Sequence, residues 1–179
     1  MRNIVFSAMM QLLTSFGLTA QSLNNEAIRS QFISDWERAK AYTIDYLNTM
    51  PANKYGFKAT DSIRSFAQQM LHLAQSNVNI FAAVAGEPNI IGEKNLEQSN
   101  SAQSKDSVMY YVVASYDLAI SGLKKMNMGL LEEKIKFAFW TETKFAWLLK
   151  AFEHQTHHRA QTTIYIRLLG LHPPQERLF

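Results

Sequence analysis

The chain contains no cysteine. That excludes disulfides, thiolate metal ligands and a cysteine nucleophile, so a metal bound here must rest on imidazole or oxygen. Proline and glycine are scarce, 4 and 7 in 179 residues. The long stretches between them favour helices over turn-rich architectures. No run of like charge occurs. The formal net charge is only +3 and the basic residues are scattered, which gives no stripe for a phosphate backbone and argues against nucleic acid as a partner. Nor is any apolar run long enough for a comfortable membrane span, so stable membrane insertion is not expected. What remains is ordinary globular material, 47% hydrophobic and 12% aromatic, and a length most simply read as one domain with a real core.

The first twenty residues read differently. Arg2 is their only charge, and an apolar run from Ile4 to Leu18 leads to Thr19 and Ala20. This is the layout of a secretory signal cut after Ala20, leaving a domain of residues 21–179. Gln11 and the bulky Leu18 depart from the pattern, and an extra N-terminal helix is the alternative. A true signal implies export to the periplasm; otherwise the protein is cytoplasmic.

Four helices follow from periodicity. The first spans Ile28 to Met50 and is stopped by Pro51. The second is read with Thr60 as its cap and a stripe of Ile63, Phe66, Met70, Leu73, Asn77 and Phe81, ending at Gly86. After the polar segment 87–103, read as a crossing loop, a third helix runs from about Ser104 to Met126. Residues Ile135, Phe137 and Phe139 alternate and suggest an extended piece. The last helix begins near Thr141 or Thr143 and ends at Gly170. The fold class is therefore all-α, a four-helix bundle with a long crossover connection.

Four of the five histidines fall in "FEHQTHHRAQTTIYIRLLGLHPP". Residues four apart on a helix share a face, so His154 and His158 converge and His157 does not. His72, between Leu71 and Leu73, stands on the flank of a buried face. These three make a candidate centre for a divalent ion. Solvated imidazoles on a polar face, with His72 as a satisfied core residue, are the competing reading, and spacing alone leaves both open. "HQTHH" differs from the zincin helix in carrying Gln155 where a general-base glutamate belongs, which argues against a zincin-type protease. Gln161 and Tyr165 continue the His154–His158 face. With Asn77 and Trp36 they are candidates for the pocket or for orienting the ligands, each with packing as its plainer role. Arg159 and Arg167 read as solvated helix charges.

The segment "HQTHHRAQTTIYIRLLGLHPP" resembles the C-terminal signature of the DinB/YfiT-like family, H-x-x-H-H-R-[GA]-Q followed by Tyr-x-Arg and Pro-Pro. The earlier "YGFKATDSIRSFAQQMLHLAQSNVNIFAAVAG" is similar to the family's second helix, and Trp36 with "DYLNTMP" fits its first. The resemblance covers about Ile28 to Pro174. It implies a bundle with a crossing middle connection, a divalent metal (zinc or nickel) on His72, His154 and His158, homodimers, and small-molecule chemistry such as thiol S-transfer or hydrolysis. Ala160 replaces a common glycine, and Gln155 stands where some members carry glutamate. Three functional readings follow: a metal-dependent enzyme on a small-molecule substrate, a non-catalytic metal- or ligand-binding protein related to stress, and a metal-free structural bundle.

Overall fold

The structure is a computed structural model and describes residues 24–179; the signal-peptide reading of residues 1–20 lies outside them. Four helices carry it: α1 (Asn25–Thr49), α2 (Phe66–Ala85), α3 (Lys105–Lys125) and α4 (Lys144–Leu168). Local chemistry sets their ends. The side chains of Asn24, Ser65, Ser104 and Thr143 each accept from a backbone N–H of the first turn, supplying a group the helix cannot supply itself. Gly86 (φ +69) and Gly170 (φ +74) turn the chain out of α2 and α4 in the left-handed region open to glycine. Between α3 and α4 lies a hairpin of β1 (Lys134–Phe137) and β2 (Trp140–Thr143), the extended piece that the alternation announces.

The second helix starts later than periodicity suggests. Thr60 is not its cap, and Ile63 lies outside it, 37% exposed. Ser65 caps instead, in a reciprocal pair with Gln68. The cause is tertiary. Tyr55 is buried and its hydroxyl donates to the Leu47 carbonyl, pinning the preceding segment to the end of α1. The amides of Phe66 and Ala67 then donate to the carbonyls of Phe57 and Tyr55, so the chain before Ser65 is committed to a loop.

Helix α1 packs on α3 and α4, and α2 packs on the same two, so α1 lies diagonal to α2 and α3 diagonal to α4, while α2 and α3 are neighbours. Asn77 meets Ser115, and a Cβ on Gly122 would lie 3.1 Å from that of Ala85; α2 and α3 therefore run parallel. Two parallel neighbours require the chain to travel back along the bundle between them, and residues 86–104 do this as the crossover. The segment returns along the outside of α2. Asn89 meets Asn79, Leu96 meets Gln75, and Glu97 reaches His72. Helix α4 is antiparallel to α2, as the pairs Gln69–Gln161 and Arg64–Tyr165 record.

The core centres on Trp36, fully buried with its ring edge-on to Phe81, Tyr116 and Phe152. Trp36 is thus a core residue and not a wall of the site. Asn77 is likewise fully buried, and its amide donates to Ser115 on the α3 side.

Candidate metal centre

Helices α2 and α4 bring His72, His154 and His158 together. Each offers a ring nitrogen, and the three nitrogens lie within 4.8 Å of one another. Ring centroids stand 4.4 Å apart for His154–His158 and His72–His158, and 5.1 Å apart for His72–His154. The α4 pair follows from the four-residue spacing. The third imidazole follows from the antiparallel register of α2.

Each ring is held differently. His72 Nδ1 is 2.5 Å from Glu97 Oε1. Arg64 Nη2 also lies 3.3 Å from that nitrogen, but Nδ1 cannot both donate and accept, and the shorter, charged partner decides. Nδ1 carries the hydrogen, so Nε2 is the ring nitrogen left to bind a metal. Glu97 is fixed in turn by Arg64, whose Nε donates to Oε2 at 2.5 Å. Burial by itself pushes the Glu97 carboxyl up, but the hydrogen bonds from Arg64 and His72 outweigh it and hold the carboxyl below its ordinary value. His158 Nδ1 donates to Gln69 Oε1 at 2.8 Å. Gln69 passes the constraint on, donating to Gln161 Oε1 at 2.6 Å, and Gln161 donates to His157 Nε2 at 2.7 Å. The His154 ring has no such partner, and its buried Nδ1 makes no hydrogen bond.

Gln161 therefore belongs to the wiring behind His158. Tyr165 braces the site at one remove, its hydroxyl donating to the Arg64 carbonyl at 2.7 Å. The sequence reading did not single out Glu97, Gln69 or Arg64 for these roles. Gln69 was within reach of it, since it sits one turn before His72 on the same helix face. Glu97 was not, because it lies 25 residues from His72 in an aperiodic loop.

Gln155 faces the other way. It is fully buried, accepts from Tyr116 and from Arg159 at 2.8 Å each, and donates to Phe152 O and Thr156 Oγ1. Whether this position carries glutamine or glutamate does not change the groups at the centre. Arg159 is not a solvated charge either. It is 5% exposed, bonds Thr43 and Gln155, and lies over the Tyr42 ring at 4.7 Å. Its spacing from His158 puts it on the helix face that meets α1. Arg167 is exposed, as read.

The donor set fits a divalent ion. Burial, and then the neighbouring His72, push His154 down to about 4; burial, and then His154, push His158 down to about 3. Both imidazoles are neutral at physiological pH, the form that binds metal. Nδ1 of His72 and of His158 is engaged from behind by carboxylate and amide, the arrangement that orients metal-ligating histidines. An unpartnered buried nitrogen on His154 is a cost a cation can relieve.

Fold and site together define a four-helix bundle with a three-histidine centre between its second and fourth helices. The sequence profile of the DinB family matches residues 20–177, and the chain belongs to that family. Solved structures share the fold, two DinB-like proteins among them. One is a DinB-like protein from Bacillus cereus ATCC 10987, 14% identical, with a TM-score of 0.66, covering 83% of this chain and 97% of that one. The other is the DinB-like protein yjoa from Bacillus subtilis, 17% identical, with a TM-score of 0.63, covering 83% and 96%. No curated protein matches the sequence.

Proposed function

We propose that the protein is a divalent-metal enzyme acting on a small molecule, with His72, His154 and His158 as ligands, zinc or nickel as the metal, and hydrolysis or thiol S-transfer as the reaction. The observation behind this reading is the cluster of three imidazoles, of which His154 and His158 are held neutral by burial. Neutral ligands leave a cation its full charge, and such a cation acidifies a water or thiol and polarises a substrate oxygen or sulfur. The chain's own part is orientation. Glu97 and Gln69 keep the imidazole hydrogens on Nδ1 of His72 and His158.

Metal analysis of tag-free protein is the test. The wild type should hold about one zinc or nickel per chain, and the double variant His154→Ala, His158→Ala should hold none while keeping its helical circular dichroism. A wild type that neither retains metal nor takes up zinc at micromolar concentration ends the reading. Turnover of ester, amide or thiol-acceptor substrates that survives chelation would equally end it.

A non-catalytic, stress-related metal- or ligand-binding role is the second reading. Its support is that the carboxylate hydrogen-bonded to a candidate ligand, Glu97, is committed to His72 and Arg64, and that Gln155 is turned into the core. Tight metal binding without activity across the same panel favours it. On the enzyme reading we further propose that residues 1–20 direct export and that the active form is a homodimer. N-terminal sequencing of the mature protein and sedimentation test these. No helix among the described residues is long and apolar enough to cross a membrane.

A further inference from the structure

Beside the histidines lies a groove of about 650 Å³ whose lining includes Trp140, Glu142, Trp147, Lys150, His154 and His157. The hairpin builds one wall. Ile135 pairs with Glu142 and Phe137 with Trp140, and alternation puts all four on one face while Lys134, Lys136, Thr141 and Thr143 take the other. That face leans on α4, with Phe137 edge-on to Trp147 at 5.1 Å. The helix supplies the second wall from a single stripe, which at 1.5 Å rise per residue runs about 16 Å from Ala146 to His157. His154 belongs both to this stripe and to the histidine cluster, so the groove meets the candidate metal centre at that one ligand, while His72 and His158 are not among its lining residues.

The charges are unequal. Lys150 is paired with Glu153 at 2.6 Å. Glu142 has no ion-pair partner among the described residues and stands exposed on the groove beside Trp140, itself 61% exposed. An unpaired carboxylate next to indole rings favours a cation: the ring faces attract it and the carboxylate neutralises it. An anionic group meets repulsion at that end.

We propose that this groove binds the substrate, and that the substrate is an elongated molecule with an aromatic or aliphatic body, a cationic amine at the hairpin end, and its reacting group at His154. The proposal rests on the metal-centre reading for the reacting end only. Its test uses three probes with one body: 4-phenylbutylamine, 4-phenylbutan-1-ol and 4-phenylbutyrate. They are titrated into metal-free and zinc-loaded protein and followed by histidine and indole NMR resonances. The amine should bind several-fold tighter than the alcohol, and the carboxylate weakest, with shifts at His154, His157 and Trp140. Glu142→Gln should erase the preference for the amine and leave alcohol binding unchanged; Trp140→Ala should weaken all three. Both positions are exposed, so neither variant threatens the fold. Tightest binding by the carboxylate, an amine preference that survives Glu142→Gln, or no shift at these residues overturns the proposal. Failure of zinc uptake counts against the metal centre alone, because the probe order is read in metal-free protein as well.

Discussion

Replacing Glu97 by glutamine removes one charge from the site and little else. The amide oxygen can still accept from His72 Nδ1, so the ring keeps its orientation while the carboxylate charge behind it is gone. Loss of such a partner behind a metal-binding histidine costs 10- to 100-fold in affinity. Glu97→Gln keeps the geometry and belongs at the lower end, about tenfold or about 1.4 kcal/mol; Glu97→Ala loses both and belongs near about 100-fold. Gln69→Ala should sit below Glu97→Ala, because a neutral amide holds His158 where a carboxylate holds His72. Arg64 would lose its ion pair, but its side chain is 39% exposed and water can take over. Fold stability should therefore change by no more than about 1 kcal/mol. Zinc competition against a chromophoric chelator, with urea unfolding of the same metal-free samples, separates the two effects. Zinc affinity within twofold of wild type in Glu97→Ala would refute the argument that the crossover loop tunes the centre.

Three further outcomes are expected. Metal-free protein should lose stability as pH falls from about 6.5, because the unfolded chain then takes up protons that folded His154 and His158 refuse until about 4 and about 3. Above 6.5 both states are neutral and the full stability is present; at pH 5 the loss is about 1–2 kcal/mol for each histidine after allowing for partial exposure. Urea midpoints at pH 7 and pH 5 check this, and an equally steep loss in the His154→Ala, His158→Ala variant would contradict it. Tyr116→Phe removes hydrogen bonds to Thr43 and Gln155, yet both retain other partners. It should cost about 0.5–1.5 kcal/mol with zinc affinity unchanged, and a large drop in affinity would show that the Gln155 face of α4 does communicate with the centre. Ala138 turns the hairpin at φ +53, so Ala138→Gly should raise the thermal midpoint by relieving about 1 kcal/mol of strain; a fall would show that the turn tolerates the methyl group.

Sequence alone determined the parts of this protein that local chemistry controls. Helical periodicity and scarce glycine and proline mark four helices. Gly86 and Gly170 mark two of their ends, and four-residue spacing makes His154 and His158 one donor pair. Tertiary structure decided what depends on which helices lie side by side. Tyr55 fixes where α2 begins, overriding a plausible cap at Thr60. Packing sends Trp36, Asn77 and Arg159 into the core, although their spacing is equally compatible with the pocket or with solvent. The crossover lays Glu97 behind His72, a match no periodicity encodes because the loop has none. A helix repeats its faces every few residues, so sequence can say which side chains share a face, but only the packed bundle says what that face meets.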